Sequence, residues 1–309
     1  MAKTKKTTSK VKAKRTKKQH TPDYYPVQRR IPIGVDGASL TGTVVGDVGK
    51  LLSIANRRLY RYGKMYQIKV DLDMNVTANA DVQIDVYALR NNWDVQRGYA
   101  LAKKIWEESS AEEREVASSN IARWRDFRID SGVTGATFAD PVIYDNASLA
   151  ASVANDGEHT VSSVDVGGVA TRFTWGNAGA GLIDVMGEWT KAGVTSTDPS
   201  AVTTTAPYDG VNADEMSDIE MEDLSNDGNN PPYQATSDTD CLVKVGTIFF
   251  RAAVAPTQPV ALQRLSTGYF DAPCGLFVLA INTARPNGEI SITAKSGDYK
   301  GVHALSMSQ

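Results

Sequence analysis

Residues 64–76 read KMYQIKVDLDMNV, and this stretch decides the fold. Tyr66, Ile68, Val70, Leu72, Met74 and Val76 alternate with Gln67, Lys69, Asp71, Asp73 and Asn75. Side chains with a period of two fit an extended strand with one buried face. After a turn at Asn79-Ala80, Val82, Ile84, Val86 and Ala88 repeat the pattern. The two runs are expected to be antiparallel neighbours, joined as a hairpin or set across two facing sheets.

Working outward, further β-type runs occupy Thr160–Val166, Ala170–Trp175, Leu182–Trp189, Cys241–Val254, Gly275–Asn282 and Glu289–Lys295. Gly, Asn, Asp and Pro separate them. Short strands with turn chemistry between them predict an antiparallel sandwich or barrel, not alternating βαβ units. One insert interrupts the series. Over residues 94–127, Tyr99, Leu101, Ala102, Ile105 and Trp106 recur at helical spacing, with charges opposite. Ser110 followed by Glu113 reads as a capping box for a second helix carrying Val116, Ile121 and Trp124. The glycine-rich residues 34–50 read as a loop holding one short strand, and Leu51–Leu59 as a short helix. Residues 191–240 are rich in Thr, Ser, Asp, Asn and Pro and lack periodicity. So long a polar segment is expected to project outward or to form a contact between copies.

The charge is divided along the chain. Lys3, Lys5, Lys6, Lys10, Lys12, Lys14, Arg15, Lys17, Lys18, Arg29 and Arg30 face a single acid, Asp23, so residues 1–30 carry a net +10. Residues 31–309 carry −13. A Lys/Thr/Ser/Ala segment cannot bury enough apolar surface to offset ordering, so the arm is expected to be disordered when free. Such arms bind nucleic acid by neutralising phosphates, and they also serve as nuclear localisation signals. Pro22, Pro26 and Pro32 favour an extended lead into the body.

A second basic run, Arg57-Arg58-Leu59-Tyr60-Arg61-Tyr62-Gly63-Lys64, interleaves cations with aromatics. Arginines there can meet phosphates while tyrosines stack on unpaired bases. The alternative is a short element with Tyr and Leu packed inward. Arg123-Trp124-Arg125-Asp126-Phe127-Arg128 admits the same pair of readings.

Chemistry beyond charge is sparse. Asp214, Glu215 and Asp218 are the candidates for a calcium site within the acidic stretch 209–227, although EF-hand spacing is absent. Cys241 and Cys274 match no metal spacing and read as buried thiols. His20, His159 and His303 join no nucleophile, P-loop, zinc or dinucleotide motif. Neither an enzyme nor a cofactor is expected. No apolar run reaches the length of a membrane span, so no membrane insertion is expected.

The arm Lys3–Lys18, the strand series from Tyr66, the insert at 94–127 and the polar segment at 191–240 together resemble the capsid proteins of small icosahedral viruses. They are most similar to coat proteins of circular single-stranded DNA viruses that encode a replication initiator. Arms in that group are often dominated by arginine, whereas lysine dominates this one. The resemblance implies a mainly β chain with a single jelly-roll sandwich at 31–309, and a separate arm at 1–30. It further implies self-assembly into a closed shell and packaging of a single-stranded genome, DNA ahead of RNA. Arg57, Arg58 and Arg61 would assist the arm, and a host-cell receptor enters as a further candidate partner. The expected locations are the virion and, during assembly, the host nucleus. The competing expectation is a cellular β-rich nucleic-acid-binding protein acting as a small oligomer.

Overall fold

A computed structural model describes residues 26–34, 42–74, 82–116, 124–148, 150–154, 159–177, 179–193, 241–251, 262–281 and 288–307. The arm cations Lys3 to Lys18, the acids Asp214, Glu215 and Asp218, and the segment 194–240 lie outside the described residues. Strand accounts for 47% of the structure against 21% helix, so the chain is mainly β.

In chain order, β1 (Arg30–Gly34) and β2 (Gly42–Asp47) lead into α1 (Val48–Asn56), β3 (Lys64–Met74) and β4 (Val82–Leu89). The insert supplies α2 (Trp93–Ser109) and α3 (Ala111–Val116). Next come β5 (Thr137–Phe138), β6 (Asp140–Tyr144), β7 (Ala151–Val153), β8 (Ser163–Val166), β9 (Val169–Thr174), β10 (Leu182–Asp184) and α4 (Val185–Gly193). The last section holds β11 (Leu242–Arg251), β12 (Leu262–Arg264), β13 (Phe270–Ala272), β14 (Leu276–Ile281), β15 (Gly288–Ala294) and β16 (Ala304–Ser306).

Two large sheets form. One runs β13-β3-β15-β1-β6-β7 with β16 also on β3, and the other runs β12-β11-β4-β14-β2-β5. Strands from both contribute to one buried cluster, including Ile31, Ile68, Val70, Ile290 and Ile292 from the first and Val44, Ile84, Val86, Phe277 and Leu279 from the second. The alternation in residues 64–76 is the cause. Tyr66, Ile68, Val70 and Leu72 enter this core, whereas Lys69, Asp71 and Asp73 form the sheet's other face. Each buried Val, Leu or Ile contributes about 1.5–3 kcal/mol, so the register is strongly fixed. β3 and β4 lie in opposite sheets, the second of the two arrangements expected. Gly46 makes close approach possible across the strands, since a Cβ there would stand 1.9 Å from the buried Phe277 ring.

A second cluster covers the other side of the β2-β14-β4 region. Val45, Leu89 and Val278 meet Val95 and Tyr99 of α2, Val185 and Met186 of α4, and Phe127, Phe173 and Trp175. The insert is therefore a cover on that sheet. Of its second helix α3 is described to Val116, residues 117–123 with Ile121 lie outside the described residues, and Trp124, Phe127 and Ile129 belong to a turn and irregular chain. The Ser110 hydroxyl donates back to the Trp106 carbonyl at 2.8 Å and accepts from Arg125. The Glu113 side chain, the other half of the expected capping box, lies outside the described residues.

Leu182–Trp189 is strand only to Asp184, whose carboxylate accepts from the Met186 N–H at 3.1 Å and starts α4, which corrects the expected strand. In the stretch 34–50, β2 is the one short strand expected, while α1 begins at Val48 instead of Leu51, where Asp47 accepts from the Lys50 N–H at 3.1 Å. Both cysteines are buried thiols, as expected. Among the described residues no helix is long and apolar enough to cross a membrane.

Candidate nucleic-acid interface

Helix α1 ends in a way that projects cations. Arg57 adopts a left-handed conformation (φ 52°), and its N–H and that of Arg58 both donate to the Ser53 carbonyl. The chain then turns sharply, and Arg57 remains exposed while Arg58 is half-buried. Tyr60 and Tyr62 point inward and are 0% and 2% exposed. The Tyr60 hydroxyl donates to the Lys300 carbonyl, and that of Tyr62 donates to Ile129 while accepting from the Trp175 indole. These rings cannot stack on bases. The interleaved tyrosines are core, and Arg57 and Arg61 are the exposed residues of that run.

The arm's root lies beside this corner. Gln28 and Asn56 exchange two hydrogen bonds, and Gln28 and Arg57 border the same cavity of about 370 Å³. Arg29 donates to the Gly301 carbonyl at 3.4 Å. Lys300, which the sequence did not single out, completes the group by donating to the Leu59 carbonyl. It sits in a tight turn closed by paired bonds between Tyr299 and Val302, with positive φ at both Lys300 and Gly301. That pattern belongs to type I′ turns, in which lysine at the first position is strained. Lys300 and Lys64 also lie 5.5 Å and 5.0 Å from the centre of the Tyr299 ring. Partial burial and the charges of Arg61 and Arg58 pull the Lys300 ammonium below its ordinary pKa.

No family model, curated protein or solved structure matches the chain. The site is therefore read from its own chemistry.

Arg29, Arg57, Arg58 and Lys300 have no ion-pair partner among the described residues, and Arg61 stands 3.5 Å from Asp126. Cations with no ion-pair partner among the described residues, on an otherwise acidic body, can accept an external polyanion. Arg30 differs. It extends over the outer face of the first sheet to Asp73 and Ser291. Both partners of that ion pair are more than half exposed, so the pair is weak and leaves Arg30 a lesser contributor.

The cluster around residue 124 divides. Arg128, 5% exposed, donates twice to the Asp47 carboxylate and is part of the core. Arg125 lies 3.9 Å over the Trp106 ring. Asp126 accepts from the Tyr62 N–H at 2.7 Å. Burial raises the Asp126 carboxyl above its ordinary pKa, despite that bond and the attraction of Arg128 and Arg61. Only Trp124, 50% exposed, presents an aromatic surface here. Among the described residues no group of His, Cys, Asp and Glu is placed to hold a metal ion.

Proposed function

We propose that this chain is a viral coat protein that assembles into a closed shell and packages a single-stranded nucleic acid genome, DNA ahead of RNA. Its arm and the cations at the arm's root neutralise phosphates, and its body is a single jelly roll. The strand order supports the fold. Taken along the chain, β1, β2, β3, β4, β11, β13, β14 and β15 give β1-β15-β3-β13 in one sheet and β2-β14-β4-β11 in the other. Every step crosses between sheets except β4 to β11, and such an arrangement suits two nested Greek keys. Jelly rolls also serve as lectins and cupins, so fold alone does not select the function.

The observation that carries the reading is the charge arrangement. A +10 arm leaves a −13 body beside Arg29, Arg57, Arg58 and Lys300, which have no ion-pair partner among the described residues. The acidic body would repel a packaged genome, so attraction has to come from the arm and its root. Copies of this chain are the main partner, with a host-cell receptor as a further one. The virion and the infected nucleus are the proposed locations.

Negative-stain imaging of the purified full-length protein tests this, combined with nuclease treatment before and after the particles are opened. Closed shells tens of nanometres across that protect single-stranded nucleic acid are expected. Small oligomers under every salt and pH condition would favour the cellular nucleic-acid-binding protein instead.

A further inference from the structure

Next to the cations at the arm's root is a cavity of about 230 Å³ lined by Ile54, Arg57, Arg58, Leu59, Trp124 and His159. Its lining combines apolar and aromatic surface with two guanidinium groups at one edge. Clefts for drug-sized ligands measure about 300–1,000 Å³, so this one admits a single flat ring system. Arg57 belongs to both the cavity and the arm's root, so one strand could reach the two together. The last turn of α1 presents carbonyl groups, which disfavour an anion, so a phosphate here must be met by guanidinium groups.

We infer that this cavity takes one unstacked nucleobase of a single strand, its face on Trp124 and its flanking phosphate on Arg57 and Arg58. The inference rests on reading the neighbouring cations as a nucleic-acid interface. It adds a discrimination that the arm lacks. Lysines of the arm neutralise duplex and single strand alike, whereas a base stacked and paired in a duplex cannot turn its face to Trp124 in the cavity. Stacking on an aromatic ring tolerates any base and does not read the sugar, so DNA and RNA single strands both qualify.

The test is a titration of the full-length protein with single strands containing 2-aminopurine, as DNA and as RNA, against duplexes of the same sequence. At about 1 M salt the screening length is roughly 3 Å, so the arm's contribution is suppressed while stacking persists. Single strands should bind about tenfold tighter than duplex, with quenching of the probe. Trp124→Ala should remove both the preference and the quenching, and Trp124→Phe should retain them. Arg58→Gln should weaken single-strand binding and leave quenching at saturation intact. Equal binding of duplex by the unaltered protein would overturn the inference, as would a preference that survives Trp124→Ala. Because Trp124 is half exposed, the alanine variant should still fold, and circular dichroism checks this. Shell imaging is read separately: absence of shells from the unaltered protein counts against the coat-protein reading, and the titration alone decides the cavity.

Discussion

Gln28 and Asn56 clasp each other: the Gln28 N–H donates to Asn56 Oδ1 at 2.7 Å, and Asn56 Nδ2 donates back to the Gln28 carbonyl at 3.1 Å. Asn56 is the last residue of α1, so the clasp sets the arm's point of departure one residue from Arg57. Asn56→Ala removes it without changing charge. Stability should fall by about 1 kcal/mol in urea denaturation. Affinity for single strands should drop roughly twofold to fivefold through lost preorganisation, with the salt dependence unchanged. An altered salt slope would mean that Asn56 governs which cations reach phosphate.

Asp47 performs two tasks. It caps α1 through the Lys50 N–H and holds the Arg128 guanidinium at 3.1 and 2.9 Å, with the arginine side chain only 6% exposed. Asp47→Ala removes the cap and strands a buried cation, so a loss of about 3–5 kcal/mol is expected. Asp47→Asn keeps a capping oxygen but not the charge. If the ion pair dominates, thermal denaturation should show the two variants falling almost equally.

Asp126 should make stability depend on pH in the direction opposite to most carboxylates. Its pKa is raised by burial in the folded state. Below the unfolded value the proton is bound in both states and the group costs nothing. As pH rises through the folded value, the buried charge forms and stability declines. Asp126→Asn keeps an acceptor for the Tyr62 N–H and removes the charge. The variant should be more stable than the unaltered protein at neutral pH, with the advantage disappearing below about pH 4. Denaturation midpoints measured across that range check the sign, and a gain that grows on acidification would contradict it.

The two-sheet body was legible because β3, β4, β14 and β15 are long enough for periodicity to register, and their apolar faces are the core. Three-residue strands such as β13 and β16 carry no period, and their places follow from pairing with β3. In residues 34–50 the glycines suggested loop, but Gly46 and Gly49 are buried where Phe277 and the Tyr60 carbonyl approach closely. The candidate interface was half visible. Arg57, Arg58 and Arg61 stand in one run, whereas Lys300 reaches Leu59 across 241 residues. No local pattern announces such a contact. Only the Lys300-Gly301 pair hints at a turn. The inward tyrosines show the limit of composition, since alternation of cations and aromatics fits a folded corner as well as a stacking surface.

The phosphate contacts can be counted by salt. For single strands the slope of log K against log[salt] is about −0.7 per phosphate neutralised. The nine basic residues between Lys3 and Lys18 set a limit near −6 for the arm. Lysine lacks a rigid fork for base edges, so this binding should show little sequence preference. Removing residues 1–20 should reduce the slope by roughly that amount and abolish most packaging. The body should still fold, because its core lies in the two sheets. Changing Arg57, Arg58 and Lys300 to Gln should reduce the slope by about 2. The Arg57 and Arg58 changes should cost little stability, since these side chains make no ion pairs within the described residues, whereas Lys300→Gln gives up the bond to the Leu59 carbonyl, worth about 1 kcal/mol. The two losses should add if arm and root contact different phosphates. An arm-deleted protein that packages as much nucleic acid as the intact chain would transfer the packaging role to the root cations.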